Sequence, residues 1–300
     1  MSVPLIDLQS ASAPQLAARI DEALRGAGFF AISGHGVPAE VSGTAFAASH
    51  GFFNLPMANK ACWHIDHSRH NRGFDPIGWQ SLDPARPPDL KESFYVGVEH
   101  VGPNQWPDEA LVPGFRAAVV AYAAAMDALA VRLMRLFEIA LELPVGYFDA
   151  FMRQPICTTR LLHYPPQPAL AAPGQIGCGA HTDWGALTLL AQDDAGGLQV
   201  QRADGSWLDV QPVPGAFVVN VGDLMQRWTN DRWRSTVHRV VNKVSGRDRW
   251  SIAYFFDLDG DVRIEPLPAC VSDERPARYG AITPAEHLAE MYRRTTVAAA

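Results

Sequence analysis

Apolar residues along the first fifty positions alternate between two rhythms. Val3-Pro-Leu-Ile-Asp-Leu is a short branched run and predicts an opening strand. From Ala13 to Gly26, Leu16, Ile20 and Leu24 recur four apart and the run stops at glycine, which predicts a helix. Gly28-Phe-Phe-Ala-Ile-Ser predicts a second strand, Gly34-His-Gly-Val-Pro a turn, and Pro38 to Phe53 a second helix. Leu55 to Glu92 has no clear period and is rich in Pro, Gly, His and Trp. Loops this long inside compact domains tend to carry function, so this one is expected to shape a pocket.

Pro113 to Leu143 carries the strongest helical pattern, with Phe115, Val119, Tyr122, Met126, Leu129, Leu133 and Leu136 on one stripe. Pro113 suits its start, and Leu143-Pro144 closes it. Beyond Cys157 the texture changes to short β runs: Thr158–Tyr164, Leu187–Gln192, Leu198–Gln201, Trp207–Val210, Ala216–Val221, Val237–Val241 and Trp250–Asp257. Turn clusters separate them, which predicts a sandwich or barrel with jelly roll the favoured form. Ile282 to Arg294 reads as a final helix with Thr283 as N-cap and Glu286 completing a capping box. Val297 to Ala300 reads as a frayed end. The expected fold class is α+β. An N-terminal α/β region occupies 1–110; a support helix, a β core at about 155–258 and a C-terminal helix occupy 111–300.

Composition narrows the function classes. A net charge of -7 over 300 residues leaves no basic footprint, so nucleic acid is not an expected partner. No window approaches 18 apolar residues free of charge, and no signal peptide is visible, so neither a membrane partner nor export is expected. Cys62, Cys157, Cys178 and Cys270 stand far apart, which fits free thiols in the cytoplasm. Cys178, three residues before His181, reads as a buried small hydrophobe.

The candidate chemistry centres on His181-Thr-Asp183-Trp184-Gly185. In an extended segment, His181 and Asp183 point to the same side. His238 offers a third ligand 55 residues later, which leaves room for several intervening strands. Two imidazoles and a carboxylate on one face of an octahedron form the arrangement of non-haem Fe(II) oxygenases. Further on, Arg249 and Ser251 share one face of a strand while Trp250 faces away. A guanidinium fork and a hydroxyl suit the far carboxylate of a dicarboxylic cosubstrate.

In this order and spacing, His181-x-Asp183, His238 and Arg249-x-Ser251 resemble the isopenicillin N synthase-like family of Fe(II)/2-oxoglutarate-dependent oxygenases. Asn220-Val-Gly-Asp-Leu-Met-Gln-Arg-Trp-Thr-Asn and Arg234-Ser-Thr-Val-His-Arg-Val-Val-Asn agree, as do Gly28-Phe-Phe, Gly34-His-Gly-Val-Pro and Arg72-Gly-Phe. The resemblance implies a double-stranded β-helix core with Fe(II) on His181, Asp183 and His238. It implies 2-oxoglutarate on Arg249 and Ser251, with Tyr164 assisting. Many relatives carry Asn where this chain has Leu162. The implied reaction consumes O2, converts 2-oxoglutarate to succinate and CO2, and hydroxylates, desaturates or cyclises a small molecule. A related oxidase that does not consume 2-oxoglutarate, a zinc hydrolase and a silent jelly-roll binding protein remain as alternatives.

Oligomeric state is open from the sequence. The substrate pocket is expected to draw on the 65–95 segment through Arg69, His70, Phe74 and Phe94, together with Trp184, Phe256 and the C-terminal helix.

Overall fold

The computed structural model describes residues 3–80, 87–167, 172–242 and 246–295. The N-terminal elements are β1 (Leu5–Asp7), α1 (Ala13–Gly26), β2 (Phe29–Ser33), α2 (Ala39–Phe53), the single turn α3 (Met57–Lys60), β3 (Gly73–Asp75) and β4 (Glu92–Gly97). Then come α4 (Phe115–Ala140), β5 (Thr158–Tyr164), β6 (Cys178–His181), β7 (Leu187–Gln192), β8 (Leu198–Gln201) and β9 (Trp207–Asp209). The chain finishes with β10 (Phe217–Val221), α5 (Asp223–Trp228), β11 (His238–Val240), β12 (Arg249–Phe256) and α6 (Pro284–Thr295). The end at Val297–Ala300 lies outside the described residues.

Two sheets form the body. The larger has the order β1-β2-β10-β7-β12-β5-β4-β3, and the smaller β6-β11-β8-β9. Strands distant in sequence pair antiparallel, as in β12 between β5 and β7, so the chain crosses back and forth to build a double-stranded β-helix. β1 pairs parallel to β2. One face of the large sheet is covered by α1, α2 and α4, and the other faces the small sheet.

Period-two alternation decides what each strand gives to each side. On β12, Ile252, Tyr254 and Phe256 enter the helix-side core, while Ala253 and Phe255 join the packing between the sheets. The same parity puts Phe30, Ile32, Leu187, Leu189, Phe217 and Val219 on the helix side. Phe52, Phe74, Phe94 and Phe115 meet there, with Phe52 and Phe94 rings 4.6 Å apart and Phe94 and Phe115 rings 5.2 Å apart. Burying each such ring contributes roughly 1.5–3 kcal/mol.

α4 is the element the helical layer is built on. It is long and apolar enough to cross a membrane by length and composition, and its apolar stripe packs instead on α1, α2, β7 and β12. It begins at Phe115 rather than Pro113, because Gly114 turns left-handed (φ 74°) immediately before it. The segment read as an unbroken loop, Leu55 to Glu92, contains α3 and β3 and ends where β4 begins; β3 and β4 extend the large sheet at its edge. The capping box of α6 forms as expected: Glu286 N–H donates to Thr283 Oγ1 (3.1 Å), and Thr283 N–H donates to Glu286 Oε2 (2.9 Å).

Candidate active site

His181 ends β6, His238 starts β11, and the two residues pair directly across the small sheet. Asp183 follows His181 in the loop to β7. The ligand atoms of all three lie within 4.8 Å of one another, and His238 Nε2 is 3.7 Å from Asp183 Oδ1. Each imidazole is fixed by its other nitrogen: His181 Nδ1 donates to Gly179 O (2.8 Å) and His238 Nδ1 to Thr236 O (3.1 Å). A carbonyl can only accept, so the proton sits on Nδ1 and each Nε2 lone pair is free. Asp183 Oδ2 accepts from Thr188 Oγ1 (2.7 Å) and Asn220 Nδ2 (2.6 Å), which leaves Oδ1 for the centre.

The backbone of this loop is pinned by the start of α5. Asp223 N–H donates to Asp183 O (2.8 Å) and Leu224 N–H to Trp184 O (3.2 Å). The run Asn220-Val-Gly-Asp therefore supports the site twice over. Asn220 steadies the carboxylate, and Asp223 steadies the main chain that carries it. Gly185 allows a close approach, since a Cβ there would lie 2.3 Å from Asp257 Oδ1.

Burial, then the adjacent His181, pushes His238 down to about 4; burial also lowers His181. Both imidazoles are therefore neutral at pH 7, so the approach of His238 to Asp183 is not an ion pair. Burial works to raise the Asp183 carboxyl, but the two imidazoles and its hydrogen bonds outweigh it and hold the group below the usual carboxylate range. Two neutral nitrogens and one anionic oxygen converging on a point fit a divalent first-row metal. Cys178 stays outside this set. Its sulfur contacts His181 from the Nδ1 side (3.8 Å), and burial raises its thiol to about 11.

A cavity runs from the three ligands between the sheets to Arg249, lined also by Tyr164, Leu162, Ser251 and Phe255. Arg249 is 1% exposed. Its Nε donates to Gly196 O (2.8 Å), Nη1 to Ser251 Oγ (3.1 Å) and Nη2 to Gln192 Oε1 (3.2 Å), and its guanidinium lies 4.8 Å from the Tyr164 ring centre. Among the described residues no carboxylate pairs with it. A buried cation held only by neutral oxygens is costly unless an anion completes the site. Leu162 presents only an apolar side chain to this cavity, so Arg249, Ser251 and Tyr164 supply its polar contacts at that end.

On the other side of His181 and Asp183, a second pocket opens towards solvent. Trp184 lines it as expected, with its ring edge-on to Tyr292 of α6 at 5.1 Å. Leu288 of α6 also lines it, and so do Arg72, Gln80, Tyr95, Thr158, Arg160, Phe255 and Asp257. The 65–95 segment therefore contributes, but through different side chains. Arg69 and His70 are exposed and do not line the pocket; the His70 ring packs over Gly102. Phe74 and Phe94 face the helices and are fully buried in that core. Phe256 has the wrong parity on β12, and Phe255 takes its place. Arg160 and Thr158 share the face of Tyr164 on β5, so counting back in twos from Tyr164 would have found them.

The sequence comparisons match this geometry. The profile of the 2OG-Fe(II) oxygenase superfamily matches residues 155–258, and that of the non-haem dioxygenase N-terminal region, named for morphine synthesis, matches residues 3–109. The chain is 37% identical to the 2-oxoglutarate-Fe(II) type oxidoreductase hxnY of Emericella nidulans, over 97% of this chain and 88% of that protein. A full-length Neurospora crassa protein, crystallised in complex with α-ketoglutarate, superimposes with a TM-score of 0.90 at 33% identity, covering 97% of this chain and 96% of that one. The same protein with α-ketoglutarate and thymine gives 0.89 at 32% identity, with the same coverage. The chain belongs to the isopenicillin N synthase-like family of 2-oxoglutarate/Fe(II)-dependent oxygenases, enzymes that use Fe(II), 2-oxoglutarate and O2.

Proposed function

We propose that His181, Asp183 and His238 hold Fe(II), that Arg249 and Ser251 hold the far carboxylate of 2-oxoglutarate beside Tyr164, and that the enzyme hydroxylates a small molecule seated between Trp184, Phe255 and Tyr292. The observation that carries this reading is Arg249. It is a fully buried cation without a carboxylate partner among the described residues, at the opposite end of one cavity from the three ligands.

When bound, Fe(II) and 2-oxoglutarate would put O2 to use as the oxidant, with 2-oxoglutarate giving succinate and CO2 and a substrate C–H bond being oxidised. The chain's own residues set the geometry. Thr188 and Asn220 aim Asp183, the Gly179 and Thr236 carbonyls aim the two imidazoles, and Arg249 balances the charge at the far end. Trp184 and Tyr292 form an aromatic wall at the mouth that limits water entry. The reducing cytoplasm expected from the sequence is supported by four free thiols, Cys62 among them exposed.

The test is production of succinate from 2-oxoglutarate under O2. It is expected to require Fe(II), to fail with Zn(II), and to be lost in Asp183→Ala. Hydrolytic turnover with Zn(II), or substrate oxidation without 2-oxoglutarate, would overturn the reading.

A further inference from the structure

The outer pocket contains two guanidiniums that the reaction itself leaves unassigned. Arg72 and Arg160 are 6% and 8% exposed, both line the pocket, and the Nε of each is buried without a hydrogen-bond partner. Arg160 uses Nη2 for Gln80 Oε1 (2.8 Å), Ser93 Oγ (2.9 Å) and Asp75 Oδ2 (3.4 Å), and its guanidinium lies 4.5 Å from the Tyr95 ring centre. Among the described residues Arg72 bonds to main-chain oxygens alone, through Nη1 to His70 O (2.9 Å) and Asn71 O (3.5 Å). No carboxylate lies within ion-pair distance of Arg72 among the described residues. Among the described residues the two buried cations have one carboxylate within ion-pair distance, Asp75, and with Asp183 of the same lining committed to the metal-ligand set, one positive charge is left over. Asp257, another acid lining this pocket, does not offset it fully, because burial raises its carboxyl to about 7.

Arg72 is held in place by construction. Gly97 of β4 lies against its guanidinium so closely that a Cβ there would sit 2.0 Å from Nη2. A strand glycine costs stability relative to a side-chain-bearing residue, and here it makes room for the guanidinium. Four aromatic rings also line the pocket, Tyr95, Trp184, Phe255 and Tyr292, with Ile156 and Leu288 adding apolar surface.

We infer that the primary substrate is a small aromatic or heteroaromatic carboxylic acid, bound as its anion, with the carboxylate on Arg72 and Arg160 and its ring between the aromatic walls towards His181 and Asp183. This rests on the oxygenase reading above and gives it a substrate class. Arg249 lines only the inner cavity and Arg72 only the outer one, so each anion has an anchor of its own, while Arg160 lines both. A buried unpaired guanidinium is satisfied best by a bidentate carboxylate. A neutral amide of the same shape would leave the excess charge uncompensated.

Calorimetric binding to the full chain loaded with Mn(II), where no turnover occurs, tests this with and without 2-oxoglutarate. The probes are benzoate, phenylacetate and pyridine-3-carboxylate, each against its amide, with thymine as a neutral ring. At least one acid is expected to bind about tenfold or more tighter than its amide, the scale of a charged hydrogen bond. Arg72→Gln is expected to remove that preference. Gly97→Ala keeps the charge and displaces the guanidinium; it is expected to do the same, so misfolding of one variant does not decide the matter. Acids and amides binding alike in the wild-type protein, no acid binding at all, or a preference that survives in both folded variants would overturn the inference. Wild-type protein that fails to bind 2-oxoglutarate would instead count against the cosubstrate reading, and the acid–amide comparison is read without it.

Discussion

Asn220 touches no ligand position, yet its amide holds the one Asp183 oxygen that the metal does not need. Asn220→Ala is expected to weaken metal affinity by about 10–100-fold, the usual effect of removing such a support. Metal titration against Thr188→Val, which removes the companion bond, would show whether the two act together. Asp257 gives the clearest pH signature. Burial raises its carboxyl to about 7, whereas the unfolded chain titrates near the ordinary value of 3.8. The folded state therefore holds the proton more tightly, and its advantage is complete below the unfolded value and lost as pH rises through about 7. Denaturant midpoints of Asp257→Asn are expected to lose that part of the decline between pH 4 and 7. Parallel wild-type and variant curves would contradict the assignment.

At the scale of the element, strand parity separates chemistry from packing. On β12, odd-numbered positions from Arg249 to Phe255 line the cavities, and even-numbered ones pack under the helices. Phe256→Ala is therefore expected to cost about 3–5 kcal/mol of stability, as for other buried aromatics. Phe255→Ala is expected to spare more of the stability and act on substrate KM; thermal melts and kinetics on the pair distinguish the two. This parity is readable in the sequence from Arg249 and Ser251, which share one face, and Phe255 belongs to the same series. Most strands and helices were legible because their periods were clean. β3 and β4 were not: a three-residue edge strand inside a Pro- and Gly-rich segment, and the six-residue strand that pairs with it, give too few repeats to register. Phe74 and Phe94 look like pocket aromatics in sequence, and only the strand pairing shows that they turn towards the helices.

Over the whole molecule, the cluster of His181, Asp183 and His238 was legible because the three residues sit in strongly marked local contexts. The arginines of the outer pocket were not, since Arg72 and Arg160 stand 88 residues apart and only the β3-β4-β5 edge of the sheet brings them together. The same architecture puts two cavities on either side of His181 and Asp183, one ending at Arg249 and one at Arg72. In the proposed function, the inner cavity runs from His181, Asp183 and His238 to Arg249 and takes one dicarboxylate. The most direct measurement of this is the dissociation constant of 2-oxoglutarate in the presence of Mn(II), compared between the wild-type chain, Arg249→Ala and Asp183→Ala. Truncating one partner of a buried charge pair costs about 2–5 kcal/mol, so Arg249→Ala is expected to weaken binding by about 30-fold or more. Asp183→Ala is expected to abolish the dependence on metal. An unchanged 2-oxoglutarate affinity in Arg249→Ala, with the fold intact, would contradict the account.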